Sequence, residues 1–269
     1  MKQQLLSHPR PKYPLVWSEN VSPELVMRAV YYDQHGGEEV MQETAYMIRP
    51  KPSKGQVQVR VAASSVNPVD IKLRENALST ALLPLPKIPG SDICGVVVNS
   101  QSDLFREGDR VFGSMPLLQS WGGAAEYASI DATLLALVPP HLSDVQAASL
   151  PLVGQTVIQA LRSFVDFYAH DTAGRRVLVQ AAAGGVGSFA VQYCKHVLGM
   201  QVYATCSAHN AAFVRSIGAD WVVDYSTHRF EDEVHGVDLV LDPMPYLYEQ
   251  RTLSSGVLKK GVRVGLIRI

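Results

Sequence analysis

Residues 177–187 read VLVQAAAGGVG, and the pattern around this stretch decides the fold. Val177, Leu178 and Val179 form an apolar run of strand length, Ala181 to Gly187 is almost free of side chains, and Val186, Phe189, Ala190, Tyr193 and Val197 recur at helical spacing. Strand, glycine turn and helix in this order make a dinucleotide phosphate site. The backbone must turn tightly and approach a pyrophosphate, which the helix N-terminus attracts through its N–H groups and dipole. The helical pattern supplies the context that a bare glycine motif lacks. The plain alternative is a tight strand-to-helix turn that holds no ligand.

After Asp171, apolar segments near Val177, Val202, Trp221, Val237 and Val262 alternate with helical patterns, which predicts a parallel sheet covered on both faces. Before it, from Met27 to about Ile130, the pattern is short strands broken by Gly and Pro. Val57, Val59 and Val61 alternate with Gln58 and Arg60, and further strand runs are Gly95 to Val98 and Ala124 to Ile130. Residues 145–161, VQAASLPLVGQTVIQAL, carry no charge and are expected as one helix between the two halves. The expected division is an N-terminal extension over 1–26, a β-rich domain over 27–148 and a nucleotide-binding α/β domain over 149–269.

A chain of 269 residues with 47% apolar and 18% charged residues can bury a sizeable core, and its formal charge of −1 gives no reason to expect nucleic acid as a partner. Residues 177–194 are uncharged over a length that could cross a membrane, but Gly184, Gly185, Gly187 and two glutamines predict a buried strand and helix instead. Cys94, Cys194 and Cys206 have no CxxC or Cys/His ligand spacing, so they read as reduced thiols of a cytoplasmic protein. The start, basic at Lys2, Arg10 and Lys12, is broken by Pro9, Pro11 and Pro14, so it is expected as an extension, with a mitochondrial presequence as the alternative.

Several phrases in order then carry a resemblance: VRVAASSVNPVDIKLR (59–74), IPGSDICGVV (88–97), REGDRVFG (106–113), GGAAEYA (122–128), AASLPLVGQTVIQAL (147–161) and VLVQAAAGGVGSFAVQ. Together they resemble the medium-chain dehydrogenase/reductases, in their zinc-free quinone oxidoreductase branch. TCSAHNAAFVRSIGADWVVDY (205–225) is similar to the reticulon-interacting, zeta-crystallin-like members. The resemblance implies an α/β protein with an N-terminal GroES-like β-rich substrate domain and a Rossmann doubly wound parallel sheet, the substrate lying in a cleft between them. It also implies hydride transfer from NADPH to a small-molecule quinone or α,β-unsaturated carbonyl. Two other readings stay open: a 2-enoyl thioester reductase, and an NADPH-binding regulatory protein with weak or lost catalysis. No membrane span is expected, and a homodimer is left open.

Three departures from the family pattern matter. Zinc-dependent relatives carry a cysteine near Ser64 and Ser65 and a GHE histidine where this chain has Gly90, Ser91 and Asp92, so no metal site is expected. Beyond the glycine turn, where an NAD site keeps an acid, the chain offers Ser207, His209 and Asn210, which points to NADP(H). Relatives also continue for several dozen residues past the strand at Val262 to Ile267, so the sheet is expected to be C-terminally shortened, lacking its last strand and return segment.

The site residues implied by the resemblance are Asn67 and Thr156 for catalysis, and Ala181, Gly184, Gly185, Val186, Gly187, Ser207, Asn210, Tyr225 and Asp242 for the cofactor. Asn67 faces the cleft in the family and its amide would donate to the acceptor oxygen, or it is a turn residue ahead of Pro68. Thr156 contacts ribose or substrate, or only a carbonyl of its own helix. Ser207 serves a 2′-phosphate, or caps the helix containing Phe213, Val214 and Ile217. The backbone from Asp242 to Met244 approaches the carboxamide, with Met244 and Pro245 standing where glycine is common. Asp70 is expected to be a structural acceptor.

Overall fold

The computed structural model describes residues 22–76, 84–162, 172–244, 256–259 and 265–266. The start of the extension, Pro245 and Val262 lie outside them. The chain divides into two compact units, Met1–Leu152 and Val153–Ile269, so the boundary falls four residues beyond the expected 148.

In the N-terminal unit, β1 (Val26–Tyr31) and β2 (Gln42–Ile48) form an antiparallel ribbon. The remaining strands are β3 (Gln56–Ser65), β4 (Asp92–Ser100), β5 (Arg110–Ser114), β6 (Tyr127–Asp131) and β7 (Leu135–Leu137), an antiparallel sheet in the order β6-β3-β4-β5-β7. The alternation read along β3 puts Val57 and Val59 into a core with Ile93, Val97, Val111 and Ile130. Gln58 does not follow that alternation: it is buried because its amide donates to the Pro50 carbonyl. Helix α1 (Pro68–Arg74) follows β3 with Pro68 at its first position, where the missing N–H costs nothing.

The uncharged stretch expected as one helix is two, α2 (Asp144–Ala148) and α3 (Pro151–Leu161). Pro151 enforces the break. It has no N–H to continue α2, its ring disfavours helical geometry at Leu150, and it suits the first turn of a new helix.

The C-terminal unit has β8 (Arg176–Val179), β9 (Gln201–Cys206), β10 (Trp221–Asp224), β11 (Leu239–Asp242) and β12 (Gly265–Leu266), paired parallel in the order β10-β9-β8-β11-β12. Alternate residues go to opposite faces. Val177, Val179, Val202, Ala204, Leu239 and Leu241 join one core with Ala190 and Val191 of α4 (Gly185–Gln192), whereas Leu178 and Val240 join another with Phe230 of α6 (Phe230–Glu233) and with Val234. Burial on both faces explains why these strands read as continuous apolar runs. α4 passes into a π turn at Tyr193–Val197. The wider turn disrupts the helical register, and Val197, expected on one face with Ala190 and Tyr193, is 63% exposed.

Lys87 is a buried cation in the N-terminal unit. Its Nζ donates to the carbonyls of Leu117 (2.9 Å) and Gln119, and burial pushes its pKa down to about 8 against the opposing pull of Asp70. Between about 8 and the ordinary 10.5 the unfolded chain binds more protons at this group, so its contribution to stability rises with pH across that window. The unfolding free energy of the wild type relative to Lys87→Met is therefore expected to increase between about pH 8 and pH 10, as read from urea titrations. A pH-independent difference would contradict the assignment.

Candidate functional site

In the order β10-β9-β8-β11-β12 the first strand of the unit, β8, is flanked by β9 on one side and β11 on the other. The crevice at the carboxyl ends beside such a switch point is where ligands of open parallel sheets bind. The glycine turn opens there.

Gln180 and Asp242 follow β8 and end β11, both fully buried, with the Gln180 N–H donating to the Leu241 carbonyl (3.0 Å). Thr205 on β9 fastens the other side: its hydroxyl donates to Gln180 Oε1 (2.6 Å) and accepts from the Ala181 N–H (3.2 Å), and its carbonyl accepts from Ala182 N–H (2.9 Å). Gln180 Nε2 is buried without a hydrogen-bond partner among the described residues. Asp242 Oδ1 accepts from the Met244 N–H (2.7 Å), and Met244 itself is exposed.

Ala181 sits at φ +48°, a left-handed conformation rare for a residue with a Cβ. The chain then returns through a Gly184 N–H to Ala181 carbonyl bond (3.0 Å), and Gly184 caps α4 in an extended conformation. The glycines have different reasons. A Cβ on Gly187 would stand 2.2 Å from the Ala181 carbonyl oxygen and 2.7 Å from Ala182 Cα, so only glycine lets α4 start this close to the turn. Gly184 and Gly185 would meet nothing nearer than 3.4 Å and 3.3 Å. At Gly184 the fold does not demand glycine, whereas at Gly185 a Cβ would press on Val153 Cγ1. The N–H groups of Gly185, Val186 and Gly187 belong to that turn, where no intrahelical carbonyl can reach them. Such a cradle of donors fits a pyrophosphate.

Helix α3 runs beside this turn, its Gly154 backbone against the Phe189 ring and its Val153 beside Gly185. It carries Thr156, half-buried.

At the end of β9, Ser207 precedes a 3-10 turn, Ala208–Asn210, and accepts a hydrogen bond from the Asn210 amide (3.1 Å). The sequence left open that Ser207 caps the following helix. It does not: α5 (Ala211–Ser216) has Asn210 at its cap, and the Ser207 side chain makes no cap hydrogen bond. Tyr225 follows β10, is 52% exposed, and its N–H donates to the Cys206 carbonyl (3.2 Å), so its backbone lies beside the end of β9.

Asn67 and its surroundings belong to the N-terminal unit. Asp92, fully buried, is their centre: Oδ2 accepts from Ser65 Oγ (2.6 Å) and Asn67 Nδ2 (3.0 Å), and Oδ1 from the Leu152 N–H (2.8 Å). Burial raises its pKa, and the hydrogen bonds from Ser65, Asn67 and Leu152 oppose that rise. Asn67 Nδ2 also donates to Ser65 Oγ (2.9 Å), so both its amide hydrogens have internal acceptors. Asp70 accepts from the Asn67 N–H (2.8 Å) and from Ser91 Oγ (2.7 Å), the structural use expected of it. Among the described residues no three His, Cys, Asp or Glu side chains gather as a ligand set for a metal ion.

The polar residues that brace the turn, Gln180 and Thr205, were not singled out from the sequence. A glutamine ending an uncharged strand was the available signal, and its partner lies 25 residues away.

Residues 53–140 match the alcohol dehydrogenase GroES-like domain, and residues 185–258 match the zinc-binding dehydrogenase family. The NADPH-dependent alkenal/one oxidoreductase, chloroplastic, of Arabidopsis thaliana is 36% identical over 224 residues, which is 80% of this chain and 57% of that protein. A chloroplastic quinone-oxidoreductase homolog of Spinacia oleracea is 37% identical over 75% of this chain and 62% of its own length. Among solved structures, the quinone oxidoreductase from Coxiella burnetii superposes with a TM-score of 0.79 at 30% identity, covering 89% of this chain and 74% of that one. The chain spans about three fifths of the length of these curated relatives.

The two kinds of glycine should separate in a denaturation experiment. Gly187→Ala is expected to cost about 1–3 kcal/mol through the clash with Ala181, whereas Gly184→Ala should change stability by less than about 0.5 kcal/mol. Equal effects in urea unfolding would refute the distinction.

Proposed function

This chain belongs to the zinc-free quinone oxidoreductase branch of the medium-chain dehydrogenase/reductases, and from that premise we propose that it transfers a hydride from NADPH to quinones or α,β-unsaturated carbonyls. The observation that carries the reading is the glycine turn at the switch point, closed beneath by Gly187 and open at Gly184. The names of the relatives, an NADPH-dependent alkenal/one oxidoreductase and quinone oxidoreductases, support the substrate and cofactor classes.

When bound, reduced nicotinamide supplies the hydride. The chain's residues bind and orient. In this reading the N–H groups of Gly185, Val186 and Gly187 hold the pyrophosphate, with Ala181 and Gly184 shaping the approach. Ser207, Asn210 and Tyr225 face the adenosine ribose and its phosphate. Backbone between Asp242 and Met244, fixed by the Met244 N–H to Asp242 Oδ1 bond, takes the carboxamide end, and the Thr156 hydroxyl contacts the nicotinamide ribose or the acceptor. Asn67 is the proposed donor to the acceptor. By giving up its contact with the neutral Ser65 hydroxyl, its amide can donate to the acceptor oxygen as negative charge develops there, while its bond to Asp92 keeps it oriented. The three free cysteines are buried, and burial raises the Cys94 thiol to about 11 and Cys194 to about 12, so both stay protonated and unreactive at neutral pH.

Titration with NADPH, followed by cofactor oxidation in the presence of 1,2-naphthoquinone, an enone and an enoyl thioester, tests the reading. Binding with turnover of the quinone or enone is expected; absence of nucleotide binding would sink it, and turnover of the thioester alone would favour an enoyl reductase. Gly184→Val should keep the melting temperature and weaken NADPH binding by about 100-fold or more, because its branched side chain fills the approach to the turn.

A further inference from the structure

Ala181 holds the start of the glycine turn at φ +48°, a conformation that a Cβ disfavours, so another interaction must compensate. The compensation comes from the next strand. Thr205 follows Ala204, which pairs with Val179 of β8, and it is only 2% exposed. Its hydroxyl accepts from the Ala181 N–H (3.2 Å) and its carbonyl from the Ala182 N–H (2.9 Å). The peptide groups before and after the strained residue are therefore both tied to one threonine.

The hydroxyl turns a lone pair to Ala181 because its hydrogen is committed elsewhere, to Gln180 Oε1 (2.6 Å). Donor and acceptor are both engaged inside the protein, so Thr205 acts through Ala181. The Ala181 carbonyl in turn accepts from the Gly184 N–H (3.0 Å) and is the oxygen that a Cβ on Gly187 would strike. A change of φ at Ala181 would swing this carbonyl out of place. The closure of the turn would go with it, and the N–H groups of Gly185, Val186 and Gly187 would lose their common orientation.

We propose that Thr205 is a positioning residue for the nucleotide: its hydroxyl keeps Ala181 left-handed before the cofactor arrives, so that the pyrophosphate meets a preformed cradle. The inference rests on the nucleotide reading above and deepens it. When only a fraction of molecules holds the binding conformation, the apparent affinity falls by that fraction. Loss of one buried hydrogen bond that opposes backbone strain corresponds to about a tenfold change in affinity. The pyrophosphate is common to NADH and NADPH, so both lose equally.

Dissociation constants for NADPH and NADH are measured by fluorescence titration, well below the melting temperature of each variant. Thr205→Val, which keeps the shape and removes the hydroxyl, is expected to weaken both nucleotides about tenfold and leave their ratio within about twofold. Thr205→Ser keeps the hydroxyl and should stay within about threefold of the wild type. The deciding variant places Ala181→Gly in the Thr205→Val background. Glycine takes a positive φ at no steric cost, so affinity should recover to within about threefold of the wild type although the hydroxyl is still missing. A merely structural threonine would lower the melting temperature and leave the affinities unmoved, and a threonine that touched the nucleotide would give a loss that Ala181→Gly does not restore. Either result overturns the proposal.

Should Thr205→Val fail to fold, the wild type decides alone. In the nucleotide-free chain the Ala181 N–H is expected to exchange with solvent at least about 100-fold more slowly than an unprotected amide, because its bond to Thr205 forms before binding. Exchange at the unprotected rate overturns the assignment. If the wild type binds neither nucleotide, the nucleotide reading itself falls and this inference with it, whereas wild-type binding that Thr205→Val leaves unchanged defeats the inference alone.

Discussion

Helix α4 starts so close to the turn after β8 that its third residue has no room for a Cβ, and this contact governs the C-terminal unit. With Gly187 against the Ala181 carbonyl, the first helical turn lies directly over the strand ends, and its N–H groups converge where β8 parts β9 from β11. A larger residue would lift the helix from the sheet and withdraw Ala190 and Val191 from the core they share with Val177 and Val179. The packing of α4 and the gathering of its first N–H groups therefore depend on the same close approach. Gly184 plays the complementary part, since the fold tolerates a side chain there.

The N-terminal unit is organised around buried charge. Asp92 and Lys87 are each removed from water, and each is compensated by hydrogen bonds: Asp92 accepts from two side chains and a backbone N–H, while Lys87 donates to two loop carbonyls. A buried charge with full hydrogen bonding fixes geometry more than it adds stability. The loop through Leu117 and Gln119 is held by Lys87, and the amide of Asn67 by Asp92. Ser65, Asn67 and Asp92 thus form an oxygen-rich network that orients a hydrogen-bond donor.

Much of the architecture was legible because the central strands β8 and β11 of the C-terminal unit are buried on both faces and read as apolar runs of their own. The glycine turn was legible for the same local reason: strand, small residues and helix are contiguous. Two local expectations failed, and each failed where backbone geometry overrides side-chain pattern. The uncharged stretch 145–161 has continuous helical hydrophobicity, yet Pro151 divides it. The spacing that placed Val197 on one face with Ala190 and Tyr193 assumes 3.6 residues per turn, and the π turn at Tyr193–Val197 alters that count.

The polar contacts that shape the candidate site were not legible, and they share one property. Gln180 with Thr205, Asp224 with Ala208, and Asp92 with the Leu152 N–H each join residues on different elements, separated by 25, by 16 and by 60 positions. Periodicity reports which face of an element is apolar; it carries nothing about which residue of the next element lies alongside. In a parallel sheet that alignment is set by the length of each helical crossover, so a residue at one strand end acquires the chemistry of its neighbour's end. The corner after β9 shows the consequence. Read along its own strand it has no acid, which suits a 2′-phosphate; read across to β10 it has Asp224 in register with Cys206. The charge at a strand end is set by the adjacent strand as well as by its own residues.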